Sequence, residues 1–102
     1  MIKVLFITTP SAAAQILVER VLEEAKKDSM ELSIEIASEE EGFERLAPED
    51  FDLLLLCPTL RFLLNRPEKM EAFKEIPMAV VDSINYGALD GRALLKLINF
   101  TL

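Results

Sequence analysis

The chain has no histidine and a single cysteine among its 102 residues. Without histidine it lacks the commonest general base, the commonest metal ligand and the usual phosphoryl-accepting side chain. A Ser-His-Asp triad, a zinc site and a phosphohistidine carrier are therefore excluded, and no metal or cofactor is expected. One cysteine cannot close an internal disulfide. Covalent chemistry is left to that thiol, to hydroxyls and to carboxylates. Basic residues are also scarce, 11 against 18 acidic ones, and the net charge of −7 repels phosphodiester backbones and anionic membrane surfaces. Neither a nucleic-acid partner nor direct membrane insertion is expected. The sequence shows no basic-then-apolar leader and no apolar run of about 18 residues, which points to a cytoplasmic location.

With 51% apolar residues the chain can bury a real core, and residues 1–102 read as one domain. Ile2 to Ile7 is a short apolar run bounded by Thr-Thr-Pro-Ser, the pattern of a buried parallel strand feeding a helix. Thr9 is the expected N-cap, with Pro10 at the first helical position. Ala13, Leu17, Val21 and Ala25 then recur at helical spacing beside Ala14, Val18 and Leu22. Glu31 to Ile36 alternates, as an edge strand does when one face meets water, and a short helix should end before Pro48. Asp52 to Cys57 reads as a central strand. Pro58 opens a helix carrying Leu60, Leu63 and Leu64, which Pro67 breaks or restarts. Met78 to Val81 makes the fourth strand, and Asp90 caps a last helix that buries Leu94, Leu95 and Ile98. Strands alternating with helices imply an α/β fold, a parallel sheet covered on both faces. Ligands of such sheets sit beyond the C-terminal strand ends, so chemistry should converge on the loops after Ile7, Cys57 and Val81.

Two loops carry a family resemblance. Asp82-Ser83-Ile84-Asn85-Tyr86-Gly87-Ala88-Leu89-Asp90-Gly91 resembles the Asp-Ser-x-x-Tyr-Gly-x-x-Asp-Gly loop of the enzyme IIB components of the lactose/chitobiose (cellobiose) branch of the sugar phosphotransferase system. Thr8-Thr9-Pro10-Ser11-Ala12-Ala13-Ala14-Gln15 before Ile16-Leu17-Val18 is similar to that family's first loop, Cys-Ser-x-Gly-x-Ser-Thr-Ser before Leu-Leu-Val. The resemblance spans essentially the whole chain. It implies a four-stranded parallel sheet in the order 2-1-3-4, like that of the low-molecular-weight tyrosine phosphatases. It also implies IIA and IIC components as partners.

The family carries its phosphoryl group on the cysteine that aligns with Thr8. A Thr hydroxyl is a far poorer nucleophile than a thiolate, and no histidine can deprotonate it. Pro10 has no N–H to offer a phosphate, Ser11 stands where the family has glycine, and Ala13 and Ala14 stand where it has hydroxyls. Four such departures point to an abandoned active site. Thr9, Ser11, Ala12 and Ala13 remain candidates for anion binding at a helix start, or simply for capping it. Cys57 occupies the glycine of the family's Leu-Gly-Pro. It is either a relocated nucleophile acidified by the helix terminus that follows it or a small core residue. In the second loop Asp82 and Ser83 are expected to tie down the backbone, Gly87 to supply a turn and Asp90 to cap the helix, with Tyr86 part of the same loop. Arg61, Arg66 and Arg92 read as surface residues, and the acidic run Glu39 to Glu41 as a solvated helix start facing a basic partner.

Three functions fit these residues. The chain is expected to be a IIB-like interaction or regulatory module working with phosphotransferase components or a regulator. The alternatives are a phosphoryl carrier between IIA and IIC-bound sugar that uses Cys57 or Thr8, and a small-anion-binding protein.

Overall fold

The computed structural model describes residues 1–9, 11–44 and 48–102. Its strands are β1 (Ile2–Ile7), β2 (Leu32–Ala37), β3 (Leu53–Leu56) and β4 (Met78–Val80), and they form one parallel sheet in the order β2-β1-β3-β4. That order is the expected one. Val4 to Ile7 of β1 and all of β3 are fully buried, because central strands covered on both faces have no polar side to offer. β2 lies at an edge and alternates between half-buried Leu32, Ile34 and Ile36 and exposed Ser33 and Glu35.

Two long helices cover one face. These are α1 (Ala12–Lys27), which buries Ala14, Leu17, Val18, Val21 and Ala25, and α5 (Gly91–Thr101), which buries Leu94, Leu95 and Ile98. They pack closely because Gly91 has no side chain: a Cβ there would lie 2.6 Å from the carbonyl carbon of Arg20. The pair is tied at the surface by the Arg20 guanidinium, which donates to the Leu89 carbonyl at 3.0 Å, and by Arg92, which donates to both Asp28 carboxylate oxygens at 2.7 and 3.2 Å.

The opposite face is covered by α2 (Glu39–Glu44), whose Gly42 sits on Ile7, and by the segment after β3. That segment is a 3-10 helix over Pro58–Asn65, then α3 (Pro67–Met70) and a 3-10 turn over Glu71–Phe73. The run after Pro58 thus differs from the expected helix in its pitch. With three residues per turn Leu60 and Leu63 stack on one buried face, and Leu64 is carried round to solvent at 41% exposure. Phe43 and Phe73 close this side edge to face, with centroids 5.2 Å apart. The start of α1 also differs from expectation. Its N-cap is Ser11, whose Oγ accepts from the Ala14 N–H at 3.2 Å, while Thr9 lies outside the helix and Pro10 lies outside the described residues. The short helix expected to run up to Pro48 is α2, and residues 45–47 after it are likewise not described.

The Arg92 guanidinium donates to Asp28 and holds its carboxyl below the usual carboxylate range, against the opposing effect of desolvation. A folded-state value that is depressed adds stability above the unfolded carboxylate's value and loses it as pH falls through the folded one. Arg92→Gln is therefore expected to be less stable than wild type at neutral pH, with the gap closing in acid once the pH falls below the depressed folded-state value of Asp28. Urea unfolding at neutral and acid pH checks this, and the difference should shrink in high salt because the pair is exposed.

Candidate functional site

Parallel register brings four residues to one rim. Ile7 pairs with Ala37 and with Leu56, and Leu56 with Val80, so the next residues, Thr8, Ser38, Cys57 and Val81, leave the sheet side by side. The Thr8 N–H donates to the Ala37 carbonyl at 2.9 Å, that of Cys57 to Ile7 at 3.1 Å and that of Val81 to Leu56 at 2.9 Å. The loops after the first, third and fourth strands therefore meet where the sequence places the chemistry.

Thr8 is a polar side chain with 0% exposure. Its hydroxyl donates to the Thr9 carbonyl at 3.4 Å and lies 3.2 Å from the Tyr86 hydroxyl, a geometry that satisfies it without solvent. Tyr86 belongs to α4 (Ser83–Gly87), and its ring meets the edge of Phe6 in β1, with centroids 6.4 Å apart at 68°. Sequence reasoning places Tyr86 in a structural loop and misses this contact. The signal it had was that this is the only tyrosine in the chain, in a loop bound for the same strand ends.

Cys57 is 2% exposed, and its sulfur lies 3.1 Å from the Thr59 hydroxyl. Burial pushes the thiol up, but the hydroxyls of Thr59 and Thr8 and the backbone N–H groups of Thr9 and Leu60 outweigh it and hold the thiol below its ordinary value. Thr8 and Cys57 are thus neighbours, as adjacent strand ends require.

Above Thr8 lies an open cavity of about 370 Å³ lined by Thr8, Thr9, Ser38, Glu39, Glu40, Leu60 and Lys69. Ser38 and Glu41 form a capping box at the start of α2: the Ser38 hydroxyl donates to the Glu41 carboxylate at 3.0 Å, and Oγ accepts from the Glu41 N–H at 3.2 Å. Glu39 and Glu40 are left lining the cavity. Two carboxylates against one lysine make this a poor place for an added anion. Ser11, Ala12 and Ala13 start α1 beside the loop, and the Ala14 N–H that an anion would want is already taken by Ser11.

In the second loop Asp82 caps α4 by accepting from the Asn85 backbone N–H at 2.8 Å and from the Asn85 side-chain amide at 2.6 Å. Ser83 is the exposed first residue of that helix. Gly87 does not supply the turn. It ends α4 without a positive φ, and the left-handed residue is Leu89 at φ 53°, followed by Asp90, which accepts from the Ala93 N–H at 3.0 Å. Arg61 and Arg66 are exposed and Arg92 is paired with Asp28, so none of the three lines the cavity over Thr8.

No protein-family model and no curated protein matches the chain. Solved structures do. The cellobiose-specific phosphotransferase IIB component protein from Borrelia burgdorferi is 30% identical and superposes with a TM-score of 0.75, over 98% of this chain and 91% of that one. The lactose-specific IIB component domain of the phosphoenolpyruvate:carbohydrate phosphotransferase system from Streptococcus pneumoniae is 16% identical, with a TM-score of 0.76 over 98% of this chain and 96% of that one.

Proposed function

This chain belongs to the lactose/cellobiose family of phosphotransferase-system IIB components, and we propose that within it the protein is an interaction or regulatory module rather than a phosphoryl carrier. Its partners are IIA and IIC components or a regulator of the system, and it works in the cytoplasm. Among the described residues no helix is long and apolar enough to cross a membrane, which accords with that setting. The observation that carries the reading is the state of Thr8. At the position where the family resemblance puts the phosphocysteine stands a hydroxyl that is fully buried and hydrogen-bonded to Tyr86. A nucleophile must meet its phosphoryl donor, and this one would first have to break its contacts and pass two carboxylates.

A second reading has one observation in its favour. Cys57 is next to Thr8, and its thiol is more acidic than usual, as a relocated nucleophile would need. Incubation with a phosphorylated IIA protein, followed by intact-mass measurement, separates the two. The expected result is binding of IIA with no added phosphoryl group. An adduct lost on Cys57→Ala would establish the carrier reading through the thiol. One lost on Thr8→Ala but kept on Cys57→Ala would establish it through the hydroxyl.

A further inference from the structure

We propose that the Thr8–Tyr86 hydrogen bond is a latch that straps residues 82–90 down over the C-terminal end of β1, with Thr8 as a positioning residue. The inference gives Thr8 a role within the proposed function, and it rests on that reading only in taking the hydroxyl to be free of other chemistry.

The strap is weakly held along α4. α4 is a five-residue helix that buries none of its own side chains, and Ile84 stands 81% exposed. Helices this short do not persist without tertiary anchors. The strap's far end is anchored, with Leu89 packed against the core, the Leu89 carbonyl accepting from Arg20 and Asp90 capping α5. Around α4 itself, the Tyr86 ring rests on Phe6 and the Tyr86 hydroxyl meets Thr8. Of these, the hydroxyl pair is the one that reads residue 8 directly. Val would fill the same volume as Thr8 and leave Tyr86 unanswered. Thr8 also stands beside Cys57 where β1 and β3 leave the sheet, so the latch sits at the rim on which the loops converge. The latch fixes which surface the strap presents to a partner, and opening it uncovers Thr8.

Site-resolved amide hydrogen exchange tests this on the whole chain. The reporting amides are Tyr86, Ala88, Leu89 and Asp90, which donate to Asp82, Ile84, Tyr86 and Asn85 carbonyls within the strap. Thr8→Val and Tyr86→Phe should each speed their exchange roughly fivefold, the worth of one net hydrogen bond. The double variant should be no faster than either single one, and Thr8→Ser, which keeps the hydroxyl, should behave as wild type. Amides of β1 and β3 serve as the internal reference and should not change. Additive effects, an unchanged strap, or equal acceleration across the sheet would each overturn the latch. Phosphorylation of wild-type Thr8 by IIA would overturn the proposed function instead, and would leave the exchange result standing.

Discussion

Thr8→Cys alone is expected to produce little phosphocysteine when the protein meets a phosphorylated IIA partner, although it puts a thiol at the family's nucleophile position. A thiolate is only half of such a site. The other half is a set of backbone N–H groups that take up the charge of the incoming phosphoryl group. Here the Ala14 N–H is occupied by the Ser11 side chain, and Pro10 contributes no N–H at all. Adding Pro10→Ala and Ser11→Gly to Thr8→Cys should restore one donor and release another. Phosphocysteine formation should then rise on the order of tenfold or more above the single change, because nucleophile and cradle act as a unit. Pro10→Ala with Ser11→Gly on the Thr8 background should give none. Quench-flow followed by intact-mass measurement reads all three. Full transfer by Thr8→Cys alone would reduce the abandoned site to one lost residue and remove the case made from the loop.

The largest stability effect is expected at Gly91. An added Cβ would lie 2.6 Å from the Arg20 carbonyl carbon, 2.7 Å from Arg20 Cβ and 2.8 Å from the Arg20 carbonyl oxygen. Two of those atoms are backbone and cannot swing aside, so α1 and α5 must separate. Overpacking of this kind costs about 1–3 kcal/mol, and the better helix propensity of alanine returns less than about 1 kcal/mol at a first-turn position. Gly91→Ala should therefore lower the Tm by several degrees, at about 4–8 °C per kcal/mol for a domain of this size. Gly87→Ala makes the contrast. It has open space around it and no positive φ, so it should be neutral or stabilising by about 0.4–1 kcal/mol. Equal losses at both sites would show that the close approach of α1 and α5 is not what Gly91 provides.

The sheet was legible in the sequence because its signal is coarse. Val4 to Ile7 and Leu53 to Leu56 are apolar without alternation and central, while β2 alternates at an edge; β4 is apolar too, and its place at the other edge came from the family resemblance and not from its pattern. Local chemistry was less legible where two residues compete for one job. Thr9 and Ser11 are both good N-caps, and a helix that starts two residues later than expected puts Ser11 at the cap. Leu60 and Leu63 fit α and 3-10 spacing alike, and only the exposure of Leu64 distinguishes them. Turns were hidden because the left-handed positions are filled by Ser29 and Leu89, at φ 55° and 53°, and not by glycine. At the site, Thr8 and Cys57 could be paired from strand order. The Thr8–Tyr86 contact joins residues 78 positions apart and depends on how a five-residue helix is seated, which no local pattern encodes.

The two open edges of the sheet differ in how they resist adding another strand. β4 is only three residues long and follows Pro77, so it offers an incoming chain little backbone to pair with. β2 is six residues long, and its defence is Glu35 on the strand and Glu31 just before it, both exposed. One edge is thus guarded by geometry, which no solution condition removes, and the other by charge, which protons and salt do remove. In acid or at high ionic strength the β2 edge is the side on which copies of the molecule would begin to stack into aggregates.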